Sequence, residues 1–556
     1  MIMILFLLIL SSFVLANADI NNDGDVDIVD LVIVVNDFGS SNVISDTDSN
    51  GIVDIFDVVY VAVRIGTTPE PPEPPTQCTG TCKTSPCNTY TDCTTSPGNC
   101  TTGYCCKGTC TTPSGNVYYV ATYGDDNNPG TEALPFRTVQ KAINSVNAND
   151  TIFIKSGTYD LTGFSPKIYI PIRIIGEDKR NTVLKNGRTI TFHNSLTVKN
   201  IKFTEFSGTV FKPLALSGEI IDGVTFENCI FDKVGGGIVD RESAGILTNF
   251  RIVNNEFNNL SSSGSIYAIS MYRGIISNIS ITGNKFENMK AGTQGTGNAI
   301  AILLGTTTNR DTTKSINIIN NTFKSIIGVV GGIDQNIEGH AVLAYGSDIT
   351  VSSNFITDVN NAPDHEAIYL KASYSEISYN IIHNGGATVD GGGGDISIKG
   401  NGNFGNAIFG NKITGDYPGI GIYTQGEVNI SNNYVKKHLG GMGVYSYELA
   451  GRAIYIKNNY IETKDRSITV YNAADGEIMN NAIISYESSL YYLSNSPNLN
   501  VHNNVECQGT NCNIVPPYPT CQNLGYICCD SCSGTAYPSY DTNCAYRKGK
   551  CCAVCG

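Results

Sequence analysis

The chain has 556 residues, a formal net charge of −14, and charged side chains at only 15% of its positions. No basic cluster suggests nucleic-acid binding, and the 19 cysteines favour an oxidising compartment outside the cytoplasm. Tryptophan is absent and tyrosine occurs 30 times, so aromatic contacts with a ligand must come from tyrosine.

Residues 1–18 are an apolar run that ends in Ala16-Asn17-Ala18. This small-x-small ending predicts a signal peptide that is cleaved before Asp19. An uncleaved membrane anchor is the alternative, for which the run is short. No membrane span is expected after cleavage, so we expect a secreted, extracellular or cell-surface protein.

Two acidic loops follow, at residues 19–30 and 46–57. Each places oxygen-bearing side chains at loop positions 1, 3, 5, 9 and 12 and a glycine at position 6, which is the spacing of a calcium loop. The predicted ligands are Asp19, Asn21, Asp23, Asp27 and Asp30 in the first loop and Asp46, Asp48, Asn50, Asp54 and Asp57 in the second.

The paired loops, each followed by an apolar segment, resemble a type I dockerin that spans residues 19–66. The resemblance implies two calcium ions and a cohesin-like or other cell-surface protein as the partner. Loop positions 10 and 11, usually small and polar in cellulosomal dockerins, are apolar here: Ile28-Val29 and Ile55-Phe56. An internal contact is therefore an alternative use of this surface.

A Pro-rich linker is predicted at residues 67–77. Eight cysteines at 78–110 and ten at 507–555 predict disulfide-rich modules at residues 78–112 and 507–556. The Cys-x2-Cys spacings of the C-terminal module leave zinc binding as an alternative. The sequence does not determine the disulfide connectivity of either module. Cys229 stands alone in a strand-like segment and is predicted to be a buried core thiol.

A repeat occupies the chain between residues 200 and 505. An Asn closely followed by Phe, Ile or Val recurs twelve times, at intervals of 22 to 37 residues. These residues are Asn200, Asn228, Asn255, Asn284, Asn321, Asn354, Asn380, Asn411, Asn433, Asn459, Asn481 and Asn503. Such a period indicates a solenoid, and Asn suits its turns because it tolerates left-handed backbone angles. Amides stacked in register can also hydrogen-bond along the axis.

Alternating segments between the Asn residues, such as HAVLAYGS and EAIYLKAS, predict strands with one buried face. No repeat shows helical periodicity, so an all-β parallel β-helix is favoured over the helical solenoids. The regularly placed Ile and Val residues argue against a disordered tract. Residues 136–146 have helical apolar spacing and predict a short helix that covers the first coil.

The segment 117–159 resembles the entry to secreted right-handed β-helix proteins of the pectate-lyase-like superfamily. The motifs that carry the resemblance include Gly124-x-Asp126, Pro129-Gly130-Thr131 and Gly157-Thr158-Tyr159. The resemblance implies a right-handed parallel β-helix over residues 115–505. It does not imply one reaction, because the superfamily contains lyases, hydrolases, epimerases and non-enzymatic proteins.

Alignment of the coils on their Asn residues predicts which side chains are neighbours. The predicted inner column contains Val342, Ala344, Ile368, Leu370, Ile396 and Ile398. The predicted outer column contains Tyr272, Leu303, Tyr345, Lys371, Lys399, Tyr423 and Tyr445. Lys371 and Lys399 are therefore expected on adjacent coils, about 5 Å apart. Such a groove suits a linear polysaccharide, whose rings stack on Tyr345, Tyr423 and Tyr445 while its anionic groups meet lysine.

Two adjacent ammonium groups repel each other, which favours the loss of one proton and lets Lys371 act as a general base. Just before it in the sequence, Asp364 and Glu366 share strand parity, and Asn336 lies one coil below. Carboxylate and amide oxygens are ligands that calcium prefers. These three residues therefore predict a calcium site, which would neutralise a substrate carboxylate.

These residues resemble the alginate lyase and chondroitinase B group of β-helix polysaccharide lyases. That group has acidic calcium ligands before a strand, a catalytic Lys five residues after the last ligand, and a catalytic Arg on the next coil. Glu366 and Lys371 keep the five-residue step, and Lys399 occupies the Arg position. The resemblance implies β-elimination at a uronate. Lys371 would remove the C5 proton, and Lys399 or Tyr369 would assist the leaving oxygen.

Three alternatives remain open. A glycoside hydrolase would use a carboxylate pair, which Asp364 and Glu366 could supply with Asp390 or Asp395 on the next coil. A uronate epimerase would use the same base; the segment PDHE, which contains His365, resembles in swapped order an acidic-His motif of secreted mannuronan epimerases. A non-catalytic carbohydrate-binding or adhesin-like protein would use the β-helix as a rigid stalk with solvated lysines.

Overall fold

The computed structural model describes residues 115–510 apart from short internal gaps, and a few residues outside that range. The gaps are 241, 293–296, 308–309, 329–338, 360–365, 386–393, 400–403, 416–418, 438–441 and 448–451. The residues outside it are Ile20, Asp30, Ile33, Val34, Asp37, Ser45, Val53, Val61, 104–106, 109–111, Cys512, 527–529 and 550–552. The chain separates into two compact units, residues 1–114 and 115–556.

Parallel strands stack into three faces of a β-helix. Face 1 contains Lys167–Ile168, Ile190–Phe192, Thr209–Pro213, Gly236–Asp240, Ile266–Met271, Ala299–Leu304, Gly339–Ser352, Ile368–Ser373, Gly394–Ile398, Ile420–Thr424, Val444–Tyr447, Ile468–Tyr471 and Tyr491–Ser494. Face 2 contains Val117–Val120, Thr151–Ile154, Ile172–Gly176, Leu196–Lys199, Ile220–Glu227, Ile246–Val253, Ile275–Thr282, Thr313–Ile319, Glu376–Ser378, Asn406–Phe409, Val428–Ser431, Ala453–Lys457, Asp475–Met479 and Leu499–His502.

Face 3 is a separate 14-stranded sheet. Its strands are Gly157–Asp160, Thr182–Lys185, Lys202–Thr204, Ile230–Asp232, Glu256–Asn258, Lys285–Lys290, Thr322–Ile327, Phe355–Val359, Ile381–His383, Lys412–Gly415, Tyr434–Lys437, Tyr460–Thr463, Ala482–Ser485 and Val505–Gln508. The long strand Gly339–Ser352 pairs within both face 1 and face 2 and so joins them. Two short antiparallel pairs lie outside the β-helix: Tyr104–Cys106 with Thr109–Thr111, and Ile527–Cys529 with Lys550–Cys552.

A short α-helix, Val139–Ser145, precedes the first full coil, as predicted. It begins three residues after Phe136, because Phe136 is bridged to Val120 and Thr138 is the N-cap. The Thr138 hydroxyl accepts from the backbone N–H of Lys141 and donates to the Asp126 carboxylate. Such a cap satisfies an otherwise unpaired helical N–H and stabilises the helix start. A 3₁₀ turn occurs at Arg310–Thr312.

The turn between face 2 and face 3 is held by a ladder of buried Asn side chains. At nine successive steps from one coil to the next, the backbone N–H and the Nδ2 of one Asn both donate to the Oδ1 of the Asn on the following coil. The ladder consists of Asn255, Asn284, Asn321, Asn354, Asn380, Asn411, Asn433, Asn459, Asn481 and Asn504. The predicted stacking of amides along the axis is thus confirmed.

Three of the twelve predicted Asn residues are not in this ladder. Asn200, Asn228 and Asn503 lie one position earlier, in the left-handed backbone conformation. Asn504 is the ladder residue beside Asn481, while Cys229 occupies the ladder position of its coil and donates its N–H to Asn255. The turn position and the ladder position are adjacent, and both accept Asn. The turn position does so because Asn tolerates a left-handed backbone, and the ladder position because the amide bonds to the neighbouring coils. Sequence alone therefore confuses the turn position with the ladder position.

The interior is a single apolar core along the β-helix. Its most regular part is a stack of phenyl rings from successive coils of face 3, with Phe231, Phe257, Phe286 and Phe323 nearly parallel and their centroids 4.7 to 4.9 Å apart. Offset aromatic pairs at this spacing add to the stabilisation that burial alone provides. The same column continues as Ile356 and Ile382, so the regular spacing of the ladder also sets that of the core.

Cys229 is a free thiol in this core, as predicted. It is fully buried, and burial raises its pKa to about 12, so it is an unreactive packing residue. The last strand, Val505–Gln508, contains Cys507, which is disulfide-bonded to Cys512. The β-helix therefore extends past the predicted end at residue 505. None of the helices in the described part of the chain has the length and apolar character needed to cross a membrane.

Replacement of a ladder residue tests how far the fold depends on these amides. In Asn354→Ala, the N–H and Nδ2 of Asn321 lose their acceptor, and the Ile318 carbonyl and Asn380 lose a donor. Buried polar groups left without partners should lower the free energy of unfolding by on the order of 3 kcal/mol in denaturant titrations. The control Asn320→Gly, at a left-handed position, should be nearly neutral. Equal stability of both variants would argue against the ladder as a main determinant.

Candidate functional site

A β-bulge on face 1 decides which side chains point outward. The backbone N–H groups of Ala341 and Val342 both donate to the carbonyl of Ala367. Ala341 and Val342 are both fully buried, so two successive residues face the core. A bulge of this kind reverses the alternation of side chains on one side of it. The side chain of His340 therefore points outward, as does that of Glu366 on the next coil. They lie on the same outer side of the strands as Leu343 and Tyr369.

Lys399 and Glu366 form an ion pair across the outer surface of face 1. The Glu366 side chain is only 5% exposed and that of Lys399 18%, so water screens the pair little. The Lys399 ammonium also lies 4.4 Å from the ring centroid of Tyr423 and 5.5 Å from that of Tyr369. These contacts hold Lys399 as a charged group on the tyrosine surface.

Lys371 lies on the adjacent coil, between the rings of Tyr345 and Tyr369, with its Nζ 5.7 Å from each centroid. Within the described residues, no carboxylate is within 4.0 Å of this ammonium. Of the two lysines, Lys371 is thus the one whose ammonium can meet an anionic ligand. The arrangement brings together Lys371, Lys399, Tyr369 and two further tyrosines on one surface.

The register confirms the predicted inner column. Val342 and Ala344 pair with Ile368 and Leu370, which pair in turn with Ile396 and Ile398. All of these side chains are fully buried.

The predicted outer column is wrong in two places. Leu303 pairs with Leu343 rather than with Tyr345, and Tyr423 pairs with Ser397 rather than with Lys399. The prediction placed all outward residues in one column, whereas outward positions two residues apart on a strand, such as Leu343 and Tyr345, belong to two columns. The lysines and tyrosines interleave between these two columns.

The other substrate-binding residue that the sequence predicts, Tyr445, lies beside Tyr423, with the ring centroids 5.0 Å apart. Burial raises the pKa of Tyr445 to about 12, so its hydroxyl remains protonated near neutral pH. Its ring is available for stacking without adding negative charge to the surface.

The predicted calcium site of face 1 is described only in part. Asn336 and Asp364 lie outside the described residues, as does His365. Glu366 is described, and its Oε1 accepts a hydrogen bond from Lys399. The described residues contain no cluster of three or more acidic, His or Cys side chains suited to a metal ion. Because two of the three predicted ligands lie outside the described residues, the calcium site of face 1 stays a prediction.

The first acidic loop is described at one of its predicted ligands. Asp30 is fully buried, and its Oδ1 accepts the backbone N–H of Ile20 at 2.7 Å. Ile20 packs in a small apolar cluster with Val34, Val53 and Val61. The other nine predicted ligands lie outside the described residues.

Asp395 is not available as a hydrolase carboxylate, because it points into the core. It occupies the bulge position that Ala341 and Ala367 fill on earlier coils, and it is fully buried. Its Oδ2 accepts from the equally buried ammonium of Lys437 at 2.7 Å, and its Oδ1 from the N–H of Gly385 at 3.1 Å. Burial raises the pKa of Asp395 despite the opposing effect of Lys437. Asp390 lies outside the described residues.

His340 is a residue of this site that sequence reasoning did not single out. It is 1% exposed, its Nδ1 lies 2.6 Å from the carbonyl oxygen of Glu366, and its ring stacks near Tyr369 with a centroid distance of 6.0 Å. Because a carbonyl only accepts, Nδ1 carries the proton in this contact. His340 thus joins the coil below to the segment that carries Glu366. His340 precedes Val342 by two residues, as Glu366 precedes Ile368. This equal spacing is the signal that could have revealed His340 as a neighbour of Glu366.

Comparison with known proteins supports the fold. The family described as "Right handed beta helix region" matches residues 394–512. A family described as "Protein of unknown function (DUF1565)" matches residues 122–364. The described structure and the first match agree with the predicted right-handed parallel β-helix. No curated protein matches the chain.

Several solved structures are similar to the chain. A rhamnogalacturonan lyase is 15% identical, with 70% of this chain and 87% of that chain covered and a TM-score of 0.29. A GH136 lacto-N-biosidase from Eubacterium ramulus is 11% identical, with 70% and 68% covered and a TM-score of 0.31. A PL6 family alginate lyase is 11% identical, with 66% and 87% covered and a TM-score of 0.17. At these identities and TM-scores, none of them decides what this chain does.

The inward ion pair gives a test of the bulge column. Lys437→Met should lower the free energy of unfolding by about 3–5 kcal/mol, because it leaves the Asp395 carboxyl buried without its partner. The double variant Asp395→Ala/Lys437→Met should recover most of that loss in denaturant titrations, since alanine is the residue at this position on the preceding coils. A double variant as unstable as Lys437→Met would contradict the assignment.

Proposed function

We propose that this protein is a secreted or cell-surface carbohydrate-active protein whose face 1 binds a linear, uronate-containing polysaccharide and cleaves it by β-elimination. The observation that carries the proposal is the interleaving of Lys371 and Lys399 with tyrosine rings on adjacent coils. Tyrosine rings suit the apolar faces of sugars, and ammonium groups suit their carboxylates. The axis of the β-helix gives a linear ligand equivalent contacts from coil to coil.

In this mechanism Lys371, in its neutral form, takes the proton from C5 of the uronate. The electron pair of the C5–H bond forms the C4–C5 double bond, and the bond from C4 to the leaving oxygen breaks. That oxygen receives a proton from Tyr369 or from Lys399. Glu366 pairs with Lys399 and positions it near the substrate. Since Glu366 is engaged by Lys399, no step is assigned to calcium at this surface.

Two features count against the glycoside hydrolase alternative. Glu366 is buried in an ion pair, and Asp395 faces the core, so neither is placed as a free carboxylate beside the other. A uronate epimerase would use the same lysines and would differ only in how C5 is reprotonated. A non-catalytic glycan-binding protein would keep the tyrosines and lysines and would show no turnover.

Replacement of the proposed base tests the reaction. The wild-type protein should release unsaturated uronate, followed by its ultraviolet absorbance, from one or more of alginate, pectate, rhamnogalacturonan and chondroitin. Lys371→Ala should reduce the rate by about 10²–10⁴-fold, which is the usual effect of losing a general base. The control Lys314→Ala removes an exposed lysine from face 2 and should leave the rate unchanged.

Three other results would redirect the proposal. An unchanged rate in Lys371→Ala would exclude it as the base. Release of reducing ends without the absorbance would favour a hydrolase. Epimerised uronate without chain cleavage would favour an epimerase.

We also propose that residues 19–30 and 46–57 form the two calcium loops of a dockerin-like domain, with a cohesin-like or other cell-surface protein as the partner. The ligand spacing in both loops supports this, and the buried carboxylate of Asp30 closes the first loop onto Ile20.

Calcium titration of the full-length mature protein tests these loops. Isothermal calorimetry should detect two sites in the wild-type protein. Asp54→Ala should remove the second site and leave the first, because Asp54 belongs only to the second loop. Unchanged stoichiometry in this variant would contradict the ligand assignment. The same calcium uptake in Asp364→Ala as in wild type would show that face 1 does not contribute.

A further inference from the structure

A row of tyrosine rings continues along face 1 beyond the two lysines. Tyr423, Tyr445, Tyr471 and Tyr492 come from four successive coils, and the centroids of neighbouring rings are 5.0, 5.7 and 5.3 Å apart. We refer to these four residues as the tyrosine strip. It begins at Lys399, which lies over the Tyr423 ring. The strip is therefore continuous with the candidate site.

The far end of the strip carries a cation. The guanidinium of Arg466 lies over the ring of Tyr492, 4.6 Å from its centroid. Within the described residues no carboxylate is within 4.0 Å of it. Most lysines of the β-helix, in contrast, are paired with an acid, including those at 155, 179, 199, 202, 212, 285, 436, 437, 457 and 464. What distinguishes Arg466 from other cations held on a ring, such as Arg452, is that its ring belongs to the tyrosine strip that starts at Lys399.

The surroundings of Arg466 fit a sugar acid better than other anions. Tyr492 is 39% exposed, and Tyr471 is partly exposed beside it, so aromatic side chains flank the guanidinium. A guanidinium binds a carboxylate through two parallel hydrogen bonds. The pKa of Tyr471 is raised, so its hydroxyl stays neutral and does not repel an anion. The tyrosine rings can stack on a sugar ring, and the guanidinium can bind the carboxylate of that sugar. Together they match one uronate residue.

We propose that Arg466, with Tyr471 and Tyr492, forms a distal subsite for an acidic sugar residue of the same chain that Lys371 and Lys399 act upon. The proposal rests on the proposed function of face 1. Arg466 lies three coils after Lys399, which corresponds to about 14 Å along the axis at the spacing of parallel strands. Only an oligosaccharide long enough to cross this distance reaches both the lysines and Arg466.

The consequence is a dependence of binding on chain length. Oligosaccharides that are too short to span the strip should bind through one end only, whereas longer ones gain the contact with Arg466. A charge-assisted contact of this kind corresponds to an increase in affinity of about ten- to one-hundred-fold. Arg466 is proposed as a binding residue, so its loss should raise Kd and KM and leave kcat nearly unchanged.

The test uses the full-length mature protein and a size series of uronate oligosaccharides, from disaccharide to octasaccharide, prepared from the polysaccharide that the wild type binds. Kd is measured by calorimetry for wild type, Arg466→Ala and Arg466→Lys. Arg452→Ala is the matched control, because Arg452 also lies over an aromatic ring, Phe404, at 5.6 Å, but away from the strip. Circular dichroism and thermal unfolding confirm that each variant is folded.

We expect Arg466→Ala to weaken binding of the longer oligosaccharides about ten- to one-hundred-fold and to leave the shortest unchanged. Arg466→Lys should be intermediate, because lysine keeps the charge and loses the paired hydrogen bonds. Arg452→Ala should match wild type. Equal affinities of Arg466→Ala and wild type at every length, or an equal loss at every length, would overturn the distal subsite.

The outcomes separate this inference from the proposed function. If wild type binds long oligosaccharides without cleaving them, the lyase is excluded and the length-dependent effect of Arg466→Ala still decides the subsite. If wild type cleaves and Arg466→Ala shows no length-dependent loss, the subsite is excluded and the lyase remains. If wild type binds none of the uronate polysaccharides, both are excluded.

Discussion

The Asn ladder is the constraint on which the rest of the β-helix depends. From Asn284 onward each ladder amide accepts two hydrogen bonds from the coil before it, and every ladder amide donates to a main-chain carbonyl of that coil, for example from Asn255 to Phe226. These bonds are buried, so a coil that shifted by one residue would leave several polar groups unpaired. The ladder thereby fixes the register of ten successive coils. The phenyl stack of face 3 and the outward columns of face 1 follow from that register.

Register alone does not place the candidate site; the bulge on face 1 is also required. A strand with strict alternation would turn Glu366 into the core, where an unpaired carboxylate is costly. Two successive inward residues instead return Glu366 and His340 to the outer surface beside Tyr369. The same bulge explains the direction of Asp395. This residue stands at the first of the two inward positions, and its carboxylate is neutralised by Lys437 from face 3. One local feature thus separates an acid that can serve ligand binding from one that cannot.

The sequence predicted the fold and the pairing of Lys371 with its neighbours because both depend on periodicity. It failed where two residues in succession obey different rules. Asn228 stands at the turn position of its coil, so Cys229 stands at the ladder position. Ala367 and Ile368 are two successive residues that both face inward. A simple repeat pattern predicts neither arrangement. The contact of Lys399 with Glu366 was also missed, since it depends on how far a lysine side chain reaches over Tyr369. Alignment of coils gives neighbouring backbones and does not give side-chain direction.

The charge of the protein strengthens the case for an anionic ligand at face 1 rather than elsewhere. The chain carries a net charge of −14, and many lysines of the described β-helix are paired with acids, among them Lys199, Lys436 and Lys457. An acidic polysaccharide is therefore repelled by the molecule as a whole. Lys371 and Arg466 are cations that no described acid neutralises, and both lie on aromatic rings of one face. Repulsion elsewhere and attraction at these points would together align a long anionic chain with the axis of the β-helix.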